Sequence, residues 1–149
     1  MPRMIRTGAF VVAAALMMVL GARPSTAQIT INEARQRGLG SEVTVEGTVT
    51  RAYGAYARIQ DESGPTGASA IVIRQTSGPN STAFQDSIAA GTIQPGTTLE
   101  VTGTTSVFNG LVQINNDDLA SFTVQGQGTP PDPQSVLLSD LAQNGEDYE

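Results

Sequence analysis

The residues best suited to chemistry in this sequence are two arginines and two tyrosines gathered around one predicted turn. Arg51 and Arg58 flank a segment that holds Tyr53 and Tyr56, and the segment follows a run of alternating apolar and polar residues. Arginine supplies a fixed positive charge with several hydrogen-bond donors, and tyrosine supplies a flat ring for stacking. The pattern indicates a binding surface at a β-hairpin and gives no sign of a catalytic mechanism.

Most kinds of catalysis are excluded by composition. The sequence contains no cysteine and no histidine, so it offers no Ser-His-Asp or Cys-His system, no thiolate or imidazole zinc site and no histidine base. Adjacent acids occur at Asp61-Glu62 and at Asp117-Asp118, where solvated loop residues are expected rather than a catalytic pair. The stretch 115–118 also lacks the spacing of an EF-hand loop. We therefore predict a protein that is not an enzyme and holds no cofactor and no metal.

Residues 1–27 have the pattern of a secretory signal. Arginines at positions 3 and 6 precede an apolar run, and small residues end at Ala27, after which cleavage is predicted. The alternative is a membrane anchor, for which the apolar run is short. The sequence thus predicts a protein secreted to the periplasm or the extracellular space, with no membrane contact after cleavage.

The remaining chain is strongly acidic. It keeps all 14 acids, whereas three of the eight basic residues lie before Gln28, which leaves five arginines and a net charge of −9. This sign favours solubility and opposes general binding to polyanions.

Alternating residues predict the strands that must position the arginines and tyrosines. Residues 43–50, 56–60 and 69–75 form the first three, and the residues facing inward are predicted to be Val43, Val45, Val49, Ala57, Ile59, Ile71 and Ile73. Tyr56, Arg58 and Gln60 then face outward, as do Val72 and Arg74. Asn109-Gly110 predicts a tight hairpin between the last two strands, 98–108 and 111–126.

Two helices and two mid-strand glycines complete the predicted elements. A short helix at 30–38 is expected to have Asn32 as its N-cap and to end at Gly38, and a second to be capped by Ser81 or Thr82 and to end at Gly91. Gly47 and Gly103 lie inside the first and fourth strands, where glycine indicates a bulge or a bend.

This order of elements resembles the OB-fold, and in particular the nucleic-acid-binding OB domains of secreted bacterial proteins. The residues that carry the resemblance are Val43, Val45, Gly47, Val49, Ala57, Ile59, Asp61, Ser63, Gly64, Ile71 and Ile73. The resemblance implies an all-β fold, a five-stranded Greek-key OB-fold barrel with a short helix between strands 3 and 4 and a short N-terminal helix. It covers residues 28 to about 126.

The resemblance also implies a binding site on the outer face of strands 2 and 3, framed by two loops. Transferred to this sequence, the site consists of Arg51, Tyr53, Tyr56, Arg58, Gln60, Arg74, Phe108 and Asn109. Each residue taken singly is more often architectural, whereas the set favours weak, sequence-tolerant binding of single-stranded DNA or RNA by an accessory module. The alternatives are a small periplasmic OB protein that binds a solute, a cation or a protein partner, and a structural spacer module.

The C-terminal residues 128–149 form a linker followed by a new segment. Pro-rich residues 128–134 are typical of a linker. The residues that follow resemble the start of the first predicted helix, with a capping residue before an apolar run. Either the sequence is a piece of a longer protein, or this segment docks on the barrel through Val136, Leu137, Leu138 and Leu141. The predicted organisation is a signal at 1–27, an OB domain at 28–127 and this segment. The oligomeric state is not predicted.

Overall fold

The computed structural model of the protein describes residues 27–64, 67–133, 135 and 137–139, so the predicted signal lies outside the described residues except for Ala27. All five predicted strands and both predicted helices are present, together with one short strand that was not predicted. In chain order the elements are β1 (Gln28–Ile29), α1 (Ile31–Gln36), β2 (Glu42–Tyr53), β3 (Tyr56–Gln60), β4 (Ala70–Arg74), α2 (Ser81–Ala89), β5 (Thr97–Phe108) and β6 (Leu111–Gln127).

The strands close into a barrel because β2 has two neighbours. Its residues 42–48 pair with β5 and its residues 48–53 pair with β3, both antiparallel. The ring continues from β3 to β4, then to β6 and back to β5, and the β4–β6 pairing is parallel. Five strands in this Greek-key order, with α2 between the third and the fourth, form an OB fold. The predicted fold class is confirmed.

The core lies inside this ring and follows the predicted alternation. All seven apolar side chains predicted to face inward are buried, and Leu99, Val101 and Ile114 of the last two strands join them. Phe84 of α2 is fully buried and packs edge-to-face on Phe122, with 5.2 Å between the ring centroids. The inward side chains of β3 and β4 are therefore packed in the barrel core. This packing fixes the direction of the outward side chains on the same two strands.

The two mid-strand glycines are explained by close approach rather than by positive φ, which neither of them has. A Cβ at Gly103 would lie 2.5 Å from the Asp118 carbonyl oxygen, and one at Gly47 would lie 2.9 Å from the Gln60 carbonyl oxygen. The register shifts beside Gly103, as a bulge requires, whereas the shift in β2 falls between Val49 and Arg51. Of the two predicted alternatives at Gly47, a bulge or a bend, the bulge is therefore wrong, and the need for glycine there comes from the close approach of the Gln60 carbonyl.

The predicted cap of α1 is also wrong. The side chain of Thr30, not Asn32, accepts a hydrogen bond from the Glu33 amide at 3.1 Å. The amide of Ile31 donates to the Asp61 carboxylate at 2.7 Å, and that of Asn32 donates to the Ser63 hydroxyl at 3.1 Å. The turn after β3 thus satisfies the first amides of α1, which the helix itself leaves without partners.

The cap of α2 differs from prediction too. The N-cap residue is Asn80, and its side chain makes no cap bond to the helix. Its side-chain amide nitrogen instead donates to the Leu119 carbonyl at 2.7 Å. Ser81 is already helical, and its hydroxyl donates to the Gly78 carbonyl at 2.8 Å. Gly91 follows the helix with φ of 73°, as predicted for its end.

The chain after β6 does not pack on the barrel at the two leucines that can be described. Leu137 is 69% exposed and Leu138 is 85% exposed, whereas Val136 and Leu141 lie outside the described residues. Within the described part of the chain, no helix has the length and apolar character needed to cross a membrane.

Candidate functional site

Four strands present one row of side chains on the outer face of the barrel, which we call the tyrosine row. Tyr53 of β2 pairs with Tyr56 of β3, Tyr56 pairs with Arg74 of β4, and Arg74 pairs with Asn115 of β6. Directly paired residues on one face stand close enough to interact, so strand register alone assembles this row.

A second row lies two residues further along β2, β3, β4 and β6, and we call it the arginine row. Here Arg51 pairs with Arg58, Arg58 with Val72, and Val72 with Gln113. Because successive side chains of a strand alternate between faces, the two rows are neighbours on the same outer surface. The site is thus a patch two rows deep and four strands wide.

The tyrosine row begins with a stacked aromatic pair. The rings of Tyr53 and Tyr56 lie 5.4 Å apart between centroids with 15° between their planes. The Arg51 guanidinium lies over the outer ring, 4.8 Å from the centroid of Tyr53. Tyr53 remains 53% exposed, so the stack presents an open aromatic surface beside a positive charge.

Arg74 is held in place by its neighbours in the same row. Its Nε donates to the Tyr56 hydroxyl at 3.2 Å, and its Nη1 donates to the Asn115 side-chain oxygen at 2.8 Å. Its Cζ also lies 5.9 Å from the Tyr56 ring centroid and 5.8 Å from that of Phe108. A guanidinium fixed in this way loses little conformational freedom when it binds a ligand.

The β5–β6 hairpin forms the opposite wall. Asn109 and Gly110 have φ of 51° and 88°, the positive values that the predicted two-residue turn requires. Phe108 and Leu111 pair at the ends of the two strands, and the Phe108 ring is 55% exposed. The hairpin therefore places a third ring across from the tyrosine pair.

Between these walls lies a cleft of about 320 Å³, near the lower end of the range for ligand sites. It is lined by both rows apart from Asn115, by Phe108, Asn109 and Leu111 of the hairpin, and by Ala57. Among these lining residues there are three arginines and neither aspartate nor glutamate. An otherwise acidic protein thus concentrates positive charge and aromatic surface in one concave place.

Seven of the eight residues predicted for the site line this cleft, and Gln60 does not. Gln60 is half-buried and pairs with Thr48 and Ala70 at the far end of β3, one row beyond the arginine row and two rows from the tyrosine row. The prediction placed Gln60 on the correct face of β3, but at a position too far along the strand to reach the cleft.

Sequence reasoning missed two polar members of the two rows, Asn115 and Gln113. Both lie on β6, and their neighbours across the sheet are on β4, to which β6 pairs in parallel. Such a pairing joins residues about 40 positions apart, and no local signal in the sequence specifies its register. The acidic pairs take no part in the cleft, and no group of three or more metal-ligating side chains occurs in the described regions.

Comparison with known proteins adds evidence on the fold. No protein-family model and no curated protein sequence matches this chain. Aspartyl-tRNA synthetase from Entamoeba histolytica superposes with a TM-score of 0.51 at 15% identity, covering 98% of this chain and 33% of the synthetase. At that identity the similarity concerns the fold alone.

Two smaller solved structures are also similar. The hypothetical protein ygiW from E. coli gives a TM-score of 0.47 at 19% identity and covers 68% of this chain and 92% of that protein. The telomere capping protein Ten1 from Saccharomyces pombe gives 0.44 at 17% identity and covers 80% of this chain and 92% of Ten1. The OB fold of this chain is defined by its own strand order.

Proposed function

We propose that this protein is an exported OB-fold module that binds single-stranded nucleic acid weakly and with little sequence preference, as an accessory to another domain or protein. The observation that carries the proposal is the cleft, where three aromatic side chains and three arginines face one concave surface with no acidic residue among its described lining. Single-strand binding needs these two elements, since every base has a stacking face and every link carries a charge.

The charge distribution supports this ligand over a general polyanion. With a net charge of −9 after the predicted signal, the protein as a whole repels DNA and RNA. Three of the five arginines after the predicted signal line the cleft, where a chain of bases also gains stacking that a simple polyanion lacks. Stacking contributes roughly 1–3 kcal/mol per base. Because part of this gain is offset by the long-range repulsion from the acidic protein, we expect weak binding.

Similar proteins support the proposal only in a general way. One structural neighbour is described as an aminoacyl-tRNA synthetase and another as a telomere capping protein, and OB folds serve many ligands. The proposal therefore depends on the side chains of this cleft.

Export and the absence of catalysis are parts of the same proposal. The sequence of residues 1–27 supports cleavage after Ala27, and mass spectrometry of the exported protein should find a chain that begins at Gln28. A chain that retains residues 1–27 in the membrane fraction would contradict export by this route.

The test is fluorescence anisotropy of a labelled oligothymidylate with the chain from residue 28 onward, at about 20 mM salt where screening is weak. We expect Tyr53→Ala, Tyr56→Ala, Phe108→Ala and Arg58→Ala each to weaken binding. Three arginine contacts should give a slope of log K against log salt of about −2. Gln60→Ala is the matched control, because Gln60 shares the outer face of β3 but does not line the cleft.

Absence of binding by the unmodified protein under these conditions would overturn the proposed function. Binding that Gln60→Ala and Tyr56→Ala weaken equally would overturn the assignment of the site. If a small solute or a protein partner occupied the cleft instead, the oligonucleotide would show no response.

A further inference from the structure

Acidic residues are unevenly divided between the barrel and the chain that follows it. Residues 128–149, which we call the tail, hold five of the 14 acids and neither arginine nor lysine. The barrel, residues 28–127, holds the other nine acids and all five arginines that follow the predicted signal. The tail therefore carries more net negative charge than the much longer barrel. The cleft has the opposite character, with three arginines and no acid among its described lining.

The tail leaves the barrel on the same outer face as the cleft. Its first residue is Gly128, and a Cβ built there would lie 3.5 Å from the hydroxyl oxygen of Thr48. Thr48 pairs with Gln60 in the row next to the arginine row, where Arg51 pairs with Arg58. Two or three strand residues separate these rows, which corresponds to about 7–10 Å. The tail thus begins one row away from the arginine row.

The tail is long enough to fold back over the cleft. Leu137 and Leu138 are 69% and 85% exposed, so these two leucines do not anchor it on the barrel. Four of its acids follow them, outside the described residues, and these are Asp140, Glu146, Asp147 and Glu149. The first of the four lies 12 residues beyond Gly128, and a chain of that length extends to about 40 Å. This reach exceeds the distance from Gly128 to the arginine row several times.

The tail also has the chemical groups that the cleft is suited to bind. Residues 146–149 read Glu-Asp-Tyr-Glu, which places three carboxylates around one aromatic ring. Carboxylates form charge-assisted hydrogen bonds with arginine, and Tyr148 can stack on the exposed rings of Tyr53 and Phe108. The tail therefore combines negative charge with a stacking ring, as a single strand of nucleic acid does.

The two arginines outside the cleft are less suited to hold the tail. Arg37 forms an ion pair with Glu33 at 3.1 Å, and Arg35 donates to the Ala70 carbonyl at 3.0 Å. Both belong to the region of α1, where Glu33 and Asp61 also supply negative charge. An acidic segment is therefore attracted to the cleft more strongly than to α1.

We propose that residues 140–149 of the same chain bind in the cleft of the free protein and are displaced when nucleic acid binds. Docking of the tail does not depend on the proposed function, whereas its competition with nucleic acid rests on that function. A tethered segment acts at an effective concentration on the order of 1 mM, so a weak contact is enough to keep the cleft occupied. Only a strand that binds more strongly than the tail then gains access to the cleft.

The direct test is NMR of the arginine side chains in the chain from residue 28 onward, without nucleic acid. The tail variant replaces four acids by the corresponding amides, as Asp140→Asn, Glu146→Gln, Asp147→Asn and Glu149→Gln. We expect it to shift the Nε–Hε resonances of the three cleft arginines and to leave those of Arg35 and Arg37 unchanged. A synthetic peptide of residues 139–149, added to the tail variant, should reverse the shifts. The same peptide with amides in place of its acids should not.

Fluorescence anisotropy with a labelled oligothymidylate at about 20 mM salt measures the competition. The tail variant should bind about fivefold more tightly than the unmodified protein, as expected if the tail occupies the cleft about four-fifths of the time. The control neutralises four barrel acids that do not line the cleft, as Glu42→Gln, Glu62→Gln, Asp86→Asn and Glu100→Gln. Because the control removes the same amount of charge, it reports the loss of long-range repulsion alone, and we expect a gain of about twofold or less.

The outcomes separate docking of the tail from the proposed function. Unchanged resonances of the cleft arginines in the tail variant would overturn docking, even if the protein binds oligothymidylate. Equal gains in affinity for the tail variant and the control would also overturn it, because net charge would explain both. Resonances that change with protein concentration, together with a doubled mass in sedimentation, would assign the cleft to the tail of a second copy and overturn docking within one chain. If the resonances respond as expected and neither protein binds oligothymidylate, docking stands and the proposed function is wrong.

Discussion

The inner and outer faces of β3 and β4 are formed by alternate residues of the same two five-residue strands, yet the two faces differ in polarity, charge and exposure. Ala57, Ile59, Ile71 and Ile73 point inward and are buried in the barrel core. Their immediate neighbours Tyr56, Arg58, Val72 and Arg74 point outward and line the cleft. Period-two alternation thus lets two short strands supply a core and a binding surface at once.

The difference shows how a small domain can keep a rigid site without using the site for its own stability. The inner face fixes the backbone, and the backbone register then determines which outer side chains stand side by side. Substitutions on the inner face should therefore lower stability, whereas substitutions on the outer face should change binding. Four measurements, from the largest expected effect to the smallest, test which positions hold the barrel together and which serve binding.

Removing inner-face volume should have the largest effect. Ile59 and Ile73 are fully buried, so Ile59→Ala and Ile73→Ala should each lower the free energy of unfolding by roughly 2–5 kcal/mol through the cavity they leave. Urea denaturation gives the value. The control is Val72→Ala, since Val72 precedes Ile73 on β4 and faces outward. This variant should lower the free energy of unfolding by about 1 kcal/mol or less. Equal losses at Ile73 and Val72 would mean that the outer face is also part of the core.

Adding volume at the two crowded glycines should have the next largest effect. Gly103→Val would place a Cβ 2.5 Å from the Asp118 carbonyl oxygen, and we expect a loss of about 3 kcal/mol in the free energy of unfolding. Gly47→Val meets a backbone atom at 2.9 Å and should cost about 1–3 kcal/mol.

Gly126 provides the control for these glycines, since a Cβ built there meets no atom within 4 Å. Gly126→Val should change stability by about 0.5 kcal/mol or less, as expected for an exposed strand position. A similar loss at Gly126 and Gly103 in thermal melting would show that strand propensity, and not close approach, determines the need for glycine.

Substitution of Asp61, which follows β3, should lower the free energy of unfolding by an intermediate amount, because Asp61 supports α1 and belongs to neither the core nor the cleft. Asp61 accepts the Ile31 amide of α1, and Asp61→Ala leaves that amide without its partner. The expected loss is about 1 kcal/mol, as for other helix caps, measured by urea denaturation. Glu62→Ala is the control at the exposed neighbouring position. If the two variants are equally stable, the turn does not hold α1 in place.

Most of the fold could be predicted from the sequence because it depends on local signals. Alternation gave the inward positions of β2, β3 and β4, and Asn109-Gly110 gave the hairpin. Both helix caps were wrong for a shared reason: several adjacent residues had side chains able to cap, and tertiary contacts decided among them. Asp61 supplied one such contact from 30 residues away.

The candidate site was predicted only as far as local patterns reach. The hairpin residues and the outward residues of β3 and β4 could be placed, because turn position and alternation are local. Gln113 and Asn115 could not be placed, since their membership depends on the parallel β4–β6 register. Gln60 shares the predicted face but lies outside the cleft, because alternation specifies a face of the sheet and not a distance along it.

The smallest expected effect tests the outer face most sharply. Tyr53 is 53% exposed and meets Arg51 and Tyr56 on the surface, so Tyr53→Ala should change the free energy of unfolding by about 0.5 kcal/mol or less. A double-mutant cycle with Arg51→Ala should give a coupling of about 0.5–1 kcal/mol, the value for an exposed cation–π pair. A coupling of this size would mean that the platform is assembled before any ligand arrives, since the guanidinium then prefers the ring to water. A coupling near zero, together with unchanged stability, would mean that Arg51 and Tyr53 are independent in the free protein, and binding would have to supply the order of this part of the cleft. A loss as large as that of Ile59→Ala would remove the separation of the two faces altogether.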